Sequence, residues 1–451
     1  VASIAEPVPE IPLVEVPPIV VPEEQAPVEA TPAPAAAAAM VSSLSIEPVD
    51  VRPAKGPVVE APTELNELPV GSTAEGEGTP EPVPISELAF ARTDAARKEA
   101  VMQRGGTPAT EAAVVRALGW LSRHQLEDGS WNFNHQICPQ CNGQCTSPGM
   151  LVRARVGATA MALLPFLGAG HTHRSDVFGK TSDYHNTVAR GLKFLLLNMQ
   201  TGPMDGAMTD PAGRLYDHGL AMTAIAEAYG MTQDRELLAA TQRAVRFTVL
   251  AQDPIGGGWR YMPRQPGDTS AVAWQVMGLK SAYLSYIKVP DSTVTGVSRF
   301  LNYVALDGGA RYGYTNASKV TDGTIAAGLL CRMYLGWKRD EPALVRGVEY
   351  LSRVGPSAGD MYYNYYATQV MHHFEGPLWA EWNRKMRDDL LDTQVKGNHL
   401  DGSWFFPGDK HGAAPGGRLY CTSLAALTLE VYYRYMPLYT KRAAQGGLGQ
   451  Q

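Results

Sequence analysis

Six times between residues 116 and 404 the chain runs through an amphipathic stretch, a polar residue, a glycine turn and an aromatic residue. The first copy is RALGWLSRHQLEDGSW (116–131), the third RAVRFTVLAQDPIGGGW (243–259) and the sixth RDDLLDTQVKGNHLDGSW (387–404). Aligning Leu121, Leu195, Thr248, Leu301, Leu351 and Leu390 gives steps of 74, 53, 53, 50 and 39 residues. A period of about 50 residues belongs to a helical repeat architecture. Between these copies lies a second class of segment, including VGATAMALLPFLGAG (156–170), HGLAMTAIAEAYG (218–230) and LYCTSLAALTLEVYYRY (419–435). Most of these are apolar nearly all round, so a neighbour must cover them on every side. The first class keeps a polar face, with Arg116 and Arg123 set against Val114, Ala117, Leu118 and Leu121. Six one-sided helices alternating with six covered ones predict an all-α fold, an α6/α6 toroid over residues 93–442 with an inner and an outer ring.

Composition sets the toroid apart from what precedes it. Residues 1–84 hold 17 of the 33 prolines and 14 acidic residues, against Arg52 and Lys55 as bases and no aromatic residue. Such a segment cannot bury enough apolar surface to offset its ordering entropy. Residues 1–92 therefore read as a disordered, acidic Pro/Glu/Ala-rich linker, and 443–451 as a flexible tail. The whole chain carries −6, so residues 85–451 carry +6, without a lysine or arginine block dense enough for a nucleic-acid partner. No apolar run reaches the roughly 18 residues needed to span a bilayer. The chain begins at Val1, and a long Pro/Glu tether suits an extracytoplasmic domain held near a membrane by an upstream segment.

The segment RALGWLSRHQLEDGSW resembles the QW motif of squalene-hopene and oxidosqualene cyclases, and the same kind of helix pair builds protein prenyltransferase β subunits. The resemblance spans residues 110–440 and implies an α/α toroid of the single-ring kind. In these motifs the glycine permits the turn, the glutamine bonds backbone and the tryptophan packs on the helix end. Trp131, Trp259 and Trp404 are expected in that closing role.

In a toroid, the N-terminal ends of the inner helices converge on one mouth. That places Arg155, Asp217 with His218, Asp268, Asp322, Asn364 with Tyr365, and Arg418 with Tyr420 together. Asp268, Asp322 and Asp217 are the candidate acids, and His218, Tyr365, Tyr420, Arg418 and Arg155 the candidate ligand contacts. Asp268 stands where the cyclases carry an Asp-x-Asp-Asp-Thr-Ala motif, but PGDTSA keeps one aspartate and lacks the acids that hold the proton. An N-cap on the helix that follows, a bond worth about 1 kcal/mol, explains Asp268 equally. Asp322 has the same two readings. Prenyltransferase zinc uses an Asp-Gly-Cys turn, and LDGGARYGY offers Asp307 but Gly309 in place of the thiolate. In NHQICPQCNGQC (134–145), Cys138, Cys141, Cys145 and His135 present four ligands for a structural zinc, or a disulfide with one thiol left over. Cys331 and Cys421 read as buried thiols. Of His372 and His373, one should be buried and one exposed, and His171 and His173 should lie in a loop away from the mouth.

Three functions fit these residues. The first is a cyclase-like protein binding an isoprenoid or other apolar ligand in a central cavity, with squalene cyclisation doubtful because the acid motif is thinned and a second barrel is lacking. The second is a non-catalytic binding or scaffold toroid, which a filled or shallow cavity would favour. The third is a glycan-processing α6/α6 enzyme, which needs two acids spaced about 5–9 Å apart in an open groove.

Overall fold

A computed structural model describes residues 91–175, 182–210, 214–410 and 412–439. Residues 1–90 and 440–451 lie outside the described residues, and so do the linker and tail readings.

The inner ring consists of α3 (Arg155–Gly168), α5 (Leu215–Thr232), α7 (Thr269–Leu284), α9 (Asp322–Tyr334), α11 (Met361–Phe374) and α13 (Gly417–Leu429). The outer ring consists of α2 (Pro108–Arg123), α4 (His185–Leu197), α6 (Arg235–Ala251), α8 (Asp291–Val304), α10 (Pro342–Val354) and α12 (Gly376–Thr393). Each inner helix packs on the next, and α13 returns to α3, so the ring closes as the sequence predicts. Among the described residues the only paired strands are a two-residue antiparallel hairpin, β1 (Ala305–Leu306) and β2 (Arg311–Tyr312).

Burial follows the helical period. In α10 the covered stripe is Ala343, Leu344, Gly347, Val348 and Leu351, at i, i+1, i+4, i+5 and i+8. In α5 every residue from Asp217 to Thr232 is buried. Helix starts are written locally as well. Thr107 and Thr110 form a reciprocal capping box ahead of α2, and Thr321 and Thr324 do the same for α9.

The repeat turns join neighbouring outer helices. Trp131, Trp259 and Trp404 are fully buried, and their indole N–H groups donate to the carbonyls of Leu121, Thr248 and Leu390, each at 2.8 Å. Gln125 spans its own turn to the Gly129 carbonyl (2.8 Å) and reaches the next outer helix at the Thr187 carbonyl (2.9 Å). Gln394 repeats this between the Gly402 carbonyl (3.0 Å) and the Ala113 carbonyl (2.8 Å), which ties the last repeat to the first. Gly402 adopts φ +89°, and a methyl group there would overlap the Arg116 carbonyl of that first outer helix. Only glycine satisfies both the left-handed backbone and the close approach.

The end of the ring carrying the C-termini of the inner helices is closed by the chain's flanking segments. Helix α1 (Asp94–Arg104) packs on α14 (Val431–Arg434). Arg92 and Arg434 converge on Glu227 of α5 at 2.8 and 3.0 Å, and the Tyr435 hydroxyl donates to the same carboxylate at 2.8 Å. Burial alone would raise the Glu227 pKa, but the Arg434 and Arg92 guanidiniums outweigh it and hold the group below the usual carboxylate range. Arg92 also donates to the Leu167 carbonyl at the end of α3 (3.2 Å), where the helix dipole favours a cation. Ala91 and Arg92 are buried, so the linker boundary drawn after residue 92 is corrected: these two residues belong to the ring.

Candidate functional site

The N-termini of the inner helices do gather acids, and most of those acids prove to be caps. Asp268 is the N-cap of α7, its Oδ1 accepting from the Ala271 N–H at 2.8 Å. Asp360 caps α11 through the Tyr363 N–H (2.8 Å), and Asp409 reaches across to the Met361 N–H of that helix (2.6 Å). Helix α3 has no capping side chain of its own, and Asp210 supplies one by accepting from the Val156 N–H at 3.0 Å. A ring of helix N-termini pointing the same way draws carboxylates through unsatisfied N–H groups and aligned dipoles before any chemistry is considered.

Asp268 stands apart because capping uses only half of it. The residue is fully buried, Oδ1 also accepts from the Tyr216 hydroxyl at 3.1 Å, and Oδ2 makes no well-aligned hydrogen bond. The nearest cation, Arg260 Nε, lies 3.9 Å from Oδ2. Burial raises the pKa of this carboxyl above the ordinary value, against the opposing pull of the Ala271 N–H, the Tyr216 and Tyr314 hydroxyls and Arg260. Around it stand half-buried aromatic rings: Tyr216 with Tyr261 (centroids 5.9 Å apart), Tyr314, whose hydroxyl lies 3.2 Å from that of Tyr261, and Tyr362. Arg214 and Arg260 both stack on Tyr261, at 5.3 and 5.2 Å. Tyr314 is set in place because the loop after β2 bonds to the start of α7, with the Thr269 N–H donating to the Tyr314 carbonyl at 2.9 Å.

Inside the ring, aromatic side chains of inner helices on opposite sides meet. Trp274 of α7 stacks on Tyr365 of α11 across the ring (5.7 Å, 18°) and meets Tyr366 edge-on. Below them Arg434 donates to the Tyr365 hydroxyl at 2.9 Å and joins the Glu227 cluster. Tyr365, assigned to the mouth, is buried against Trp274.

Most of the other assigned residues have structural partners. Asp217 faces Asp210, and each carboxyl acts on the titration of the other. Burial and the facing Asp210 raise Asp217 well above the ordinary value. His218 is buried, with Nδ1 accepting from the Met208 N–H (3.2 Å) and Nε2 beside the Thr248 hydroxyl (2.9 Å), and burial pushes it down to about 3. Asp322 is not the cap of α9, since Thr321 is. Its Oδ1 accepts from the Tyr350 hydroxyl at 2.8 Å. Arg155 pairs with Asp128, and Arg418 ties the Thr146 carbonyl (3.0 Å) to the Ser403 hydroxyl (3.1 Å). Tyr420 is buried, and its hydroxyl has no hydrogen-bond partner. His372 and His373 are both buried, correcting the expectation of one on each side. His171 and His173 bond Ser182 (2.8 Å) and Asp234 (3.1 Å), away from the mouth.

All five cysteines are free thiols, and burial pushes Cys331 and Cys421 up to about 12. The loop 134–145 does not assemble its own four ligands. Cys141 and Cys145 come together with His124 and His399, while Cys138 turns its thiol to the Arg123 carbonyl (3.5 Å) and His135 stands edge-on to Trp120 and His124. Sequence reasoning missed His124, His399, Asp210, Glu227 and the tyrosines Tyr216, Tyr261 and Tyr314. For Glu227 a signal existed: a lone charge in an otherwise apolar helix must find a partner.

No family model matches the chain, and no curated protein is matched. Among solved structures, the type II terpene cyclase MstE from Scytonema is similar at 12% identity and TM-score 0.49, covering 72% of this chain and 97% of the cyclase. A variant of the same cyclase in complex with geranylgeranyl dihydroxybenzoate gives 11% and 0.46, covering 72% and 97%. The GH76A α-1,6-mannanase of Salegentibacter sp. HEL1_6 gives 10% and 0.49, covering 72% and 98%.

Proposed function

We propose that this protein is a non-catalytic binding toroid that takes an amphipathic ligand at the mouth around Asp268. The observation that carries the reading is the aromatic packing inside the ring, where Trp274 stacks on Tyr365 and meets Tyr366 edge-on. A cyclase needs a deep dry chamber for a long polyene, and aromatic packing between helices on opposite sides of the ring narrows the space for one. The mouth is lined by tyrosines, with Arg214 and Arg260 beside them and a buried carboxyl oxygen, Asp268 Oδ2, that accepts no well-aligned hydrogen bond. A ligand's hydroxyl would donate to Asp268 Oδ2 while its apolar part lies on Tyr216, Tyr261, Tyr314 and Tyr362. The glycan-processing reading has less support. Of the neighbouring carboxyls Asp210 and Asp217, Asp210 is taken up in capping α3 through the Val156 N–H, whereas glycoside hydrolysis needs two carboxyls about 5–9.5 Å apart and free to act.

A cyclase-like reading keeps one specific observation in its favour, a buried aspartate of raised pKa among aromatic faces. One experiment separates the two. Full-length wild type and Asp268→Asn are incubated with geranylgeraniol, bound lipid is measured by native mass spectrometry, and the extracted lipid is analysed chemically. Asparagine also caps helices, so the variant folds. Losing a charge-assisted hydrogen bond should weaken retention about tenfold, with the alcohol recovered unchanged. Equal retention by both proteins, or none by wild type, would sink the binding reading. A cyclised product made only by wild type would transfer the assignment to the cyclase.

A further inference from the structure

We propose that His124, Cys141, Cys145 and His399 bind a zinc ion that staples the sixth repeat to the first. The four ligand atoms lie within 4.8 Å of one another, and all but His399 are fully buried. Cys145 Sγ is 3.4 Å from His124 Nε2 and 3.1 Å from His399 Nδ1. A tetrahedral zinc with ordinary Zn–S and Zn–N bonds has S···N edges of about 3.6 Å, so these side chains already stand near the corners of such a site. The imidazole of His124 is oriented for the task. Its Nδ1 lies 2.7 Å from the Trp120 carbonyl, which fixes the proton there and leaves the Nε2 lone pair facing the thiols. A backbone carbonyl on the far ring nitrogen is the outer-shell partner that ligating histidines carry.

The donor set selects the metal. Two thiols and two imidazoles at tetrahedral spacing suit zinc, and four protein ligands leave no open position for substrate, so the role is structural. Placement says what it holds. His124 follows the end of α2 in the first repeat, while His399 lies in the turn after α12 in the sixth, 254 residues from Cys145. Three other contacts cross the same seam: Arg116 Nε to Gln394 Oε1 (3.0 Å), Gln394 to the Ala113 carbonyl (2.8 Å) and Arg123 to the Asp401 carbonyl (3.0 Å). A closed ring has one seam where the last repeat meets the first, and the ion would sit on it.

The test is elemental analysis of the full chain purified without chelator, alongside Cys145→Ser, His399→Ala, Cys138→Ser and His135→Ala. Wild type should carry about one zinc per chain. Cys145→Ser and His399→Ala should each lose at least about tenfold in content, with Cys138→Ser and His135→Ala unchanged. Should the first pair fail to fold, cobalt exchange into wild type decides. Tetrahedral d–d bands with a thiolate-to-cobalt transition support the site, and their absence overturns it. The proposal also falls if wild type refolded with zinc retains none. It falls too if Cys138→Ser or His135→Ala loses the metal while His399→Ala keeps it, or if non-reducing peptide mapping finds Cys141 and Cys145 disulfide-bonded.

Discussion

Arg92 offers the sharpest test of how the ring is closed at its base, because the sequence places it in a linker and the structure places it in the core. Arg92→Met keeps the length of the side chain and removes its charge. Glu227 would then retain Arg434 and Tyr435 but lose its 2.8 Å partner, and the Leu167 carbonyl would lose a donor. Breaking a buried pair by removing one partner costs about 3–5 kcal/mol, and the surviving arginine puts Arg92→Met near 3. An unfolding entropy of about 2.1 cal/mol/K per residue over roughly 350 residues turns that into a Tm drop of about 4 °C. Glu227→Gln strands two buried guanidiniums and should fall further, by about 7 °C on the same scale. The pH dependence is a second check. A carboxylate whose folded pKa is depressed contributes stability above its unfolded value, about 4.3, and loses it as pH falls through the folded value. The gap between wild type and Arg92→Met should therefore be full at neutral pH and close in acid. Melting curves of the full chain across pH measure both effects. A variant melting within about a degree of wild type at neutral pH would refute the reasoning.

Glu430 should behave in the opposite sense. It is buried, its oxygens accept no hydrogen bond, and burial pushes its pKa well above the ordinary value despite Arg434 and Arg97 nearby. Its stability contribution is present below the unfolded pKa and lost as pH rises through the folded one, so Glu430→Gln should gain on wild type in alkali. Parallel or falling curves would refute this. Gly402 and Gly397 share positive φ, at +89° and +80°, but only Gly402 abuts a carbonyl, so alanine should cost about 1 kcal/mol at Gly397 and at least about 2 at Gly402 by urea unfolding. Equal costs would show that the seam does not press on that turn.

Much of this architecture can be read along the chain because its determinants are local. The stripe Ala343, Leu344, Gly347, Val348 and Leu351 announces a one-sided helix, and the apolar run from Leu220 to Ala226 announces a covered one. The tryptophans and glutamines of the repeat turns lie within about fourteen residues of their nearest partners, so spacing reveals them. The mouth was harder to read. Position at a helix start pointed to Asp217, Asp268 and Asp322, but it cannot distinguish a capping carboxylate from a reactive one, and the structure assigns capping to Asp268 and to Asp210, Asp360 and Asp409, which the sequence did not single out.

What escaped the sequence spans the ring. Glu227 meets Arg434 across 207 residues, and Arg92 meets the Arg434 carbonyl across 342. Cys145 meets His399 across 254. No spacing rule reaches that far. The difference from the helix stripes is physical: apolar burial needs only a surface of the right period, whereas a charge or a metal ligand needs a particular atom, and closing a ring decides which atoms meet. A repeat protein left open would place its first and last repeats in solvent. Closure instead gives this chain a seam and a base, and the buried groups that meet across the longest sequence separations stand at those two places. Glu227, Arg92 and Arg434 hold the base, and His124, Cys141, Cys145 and His399 line the seam. A sequence reader who has inferred a closed ring can therefore search for such groups, asking of each lone charge or histidine whether it falls where the first and last repeats meet.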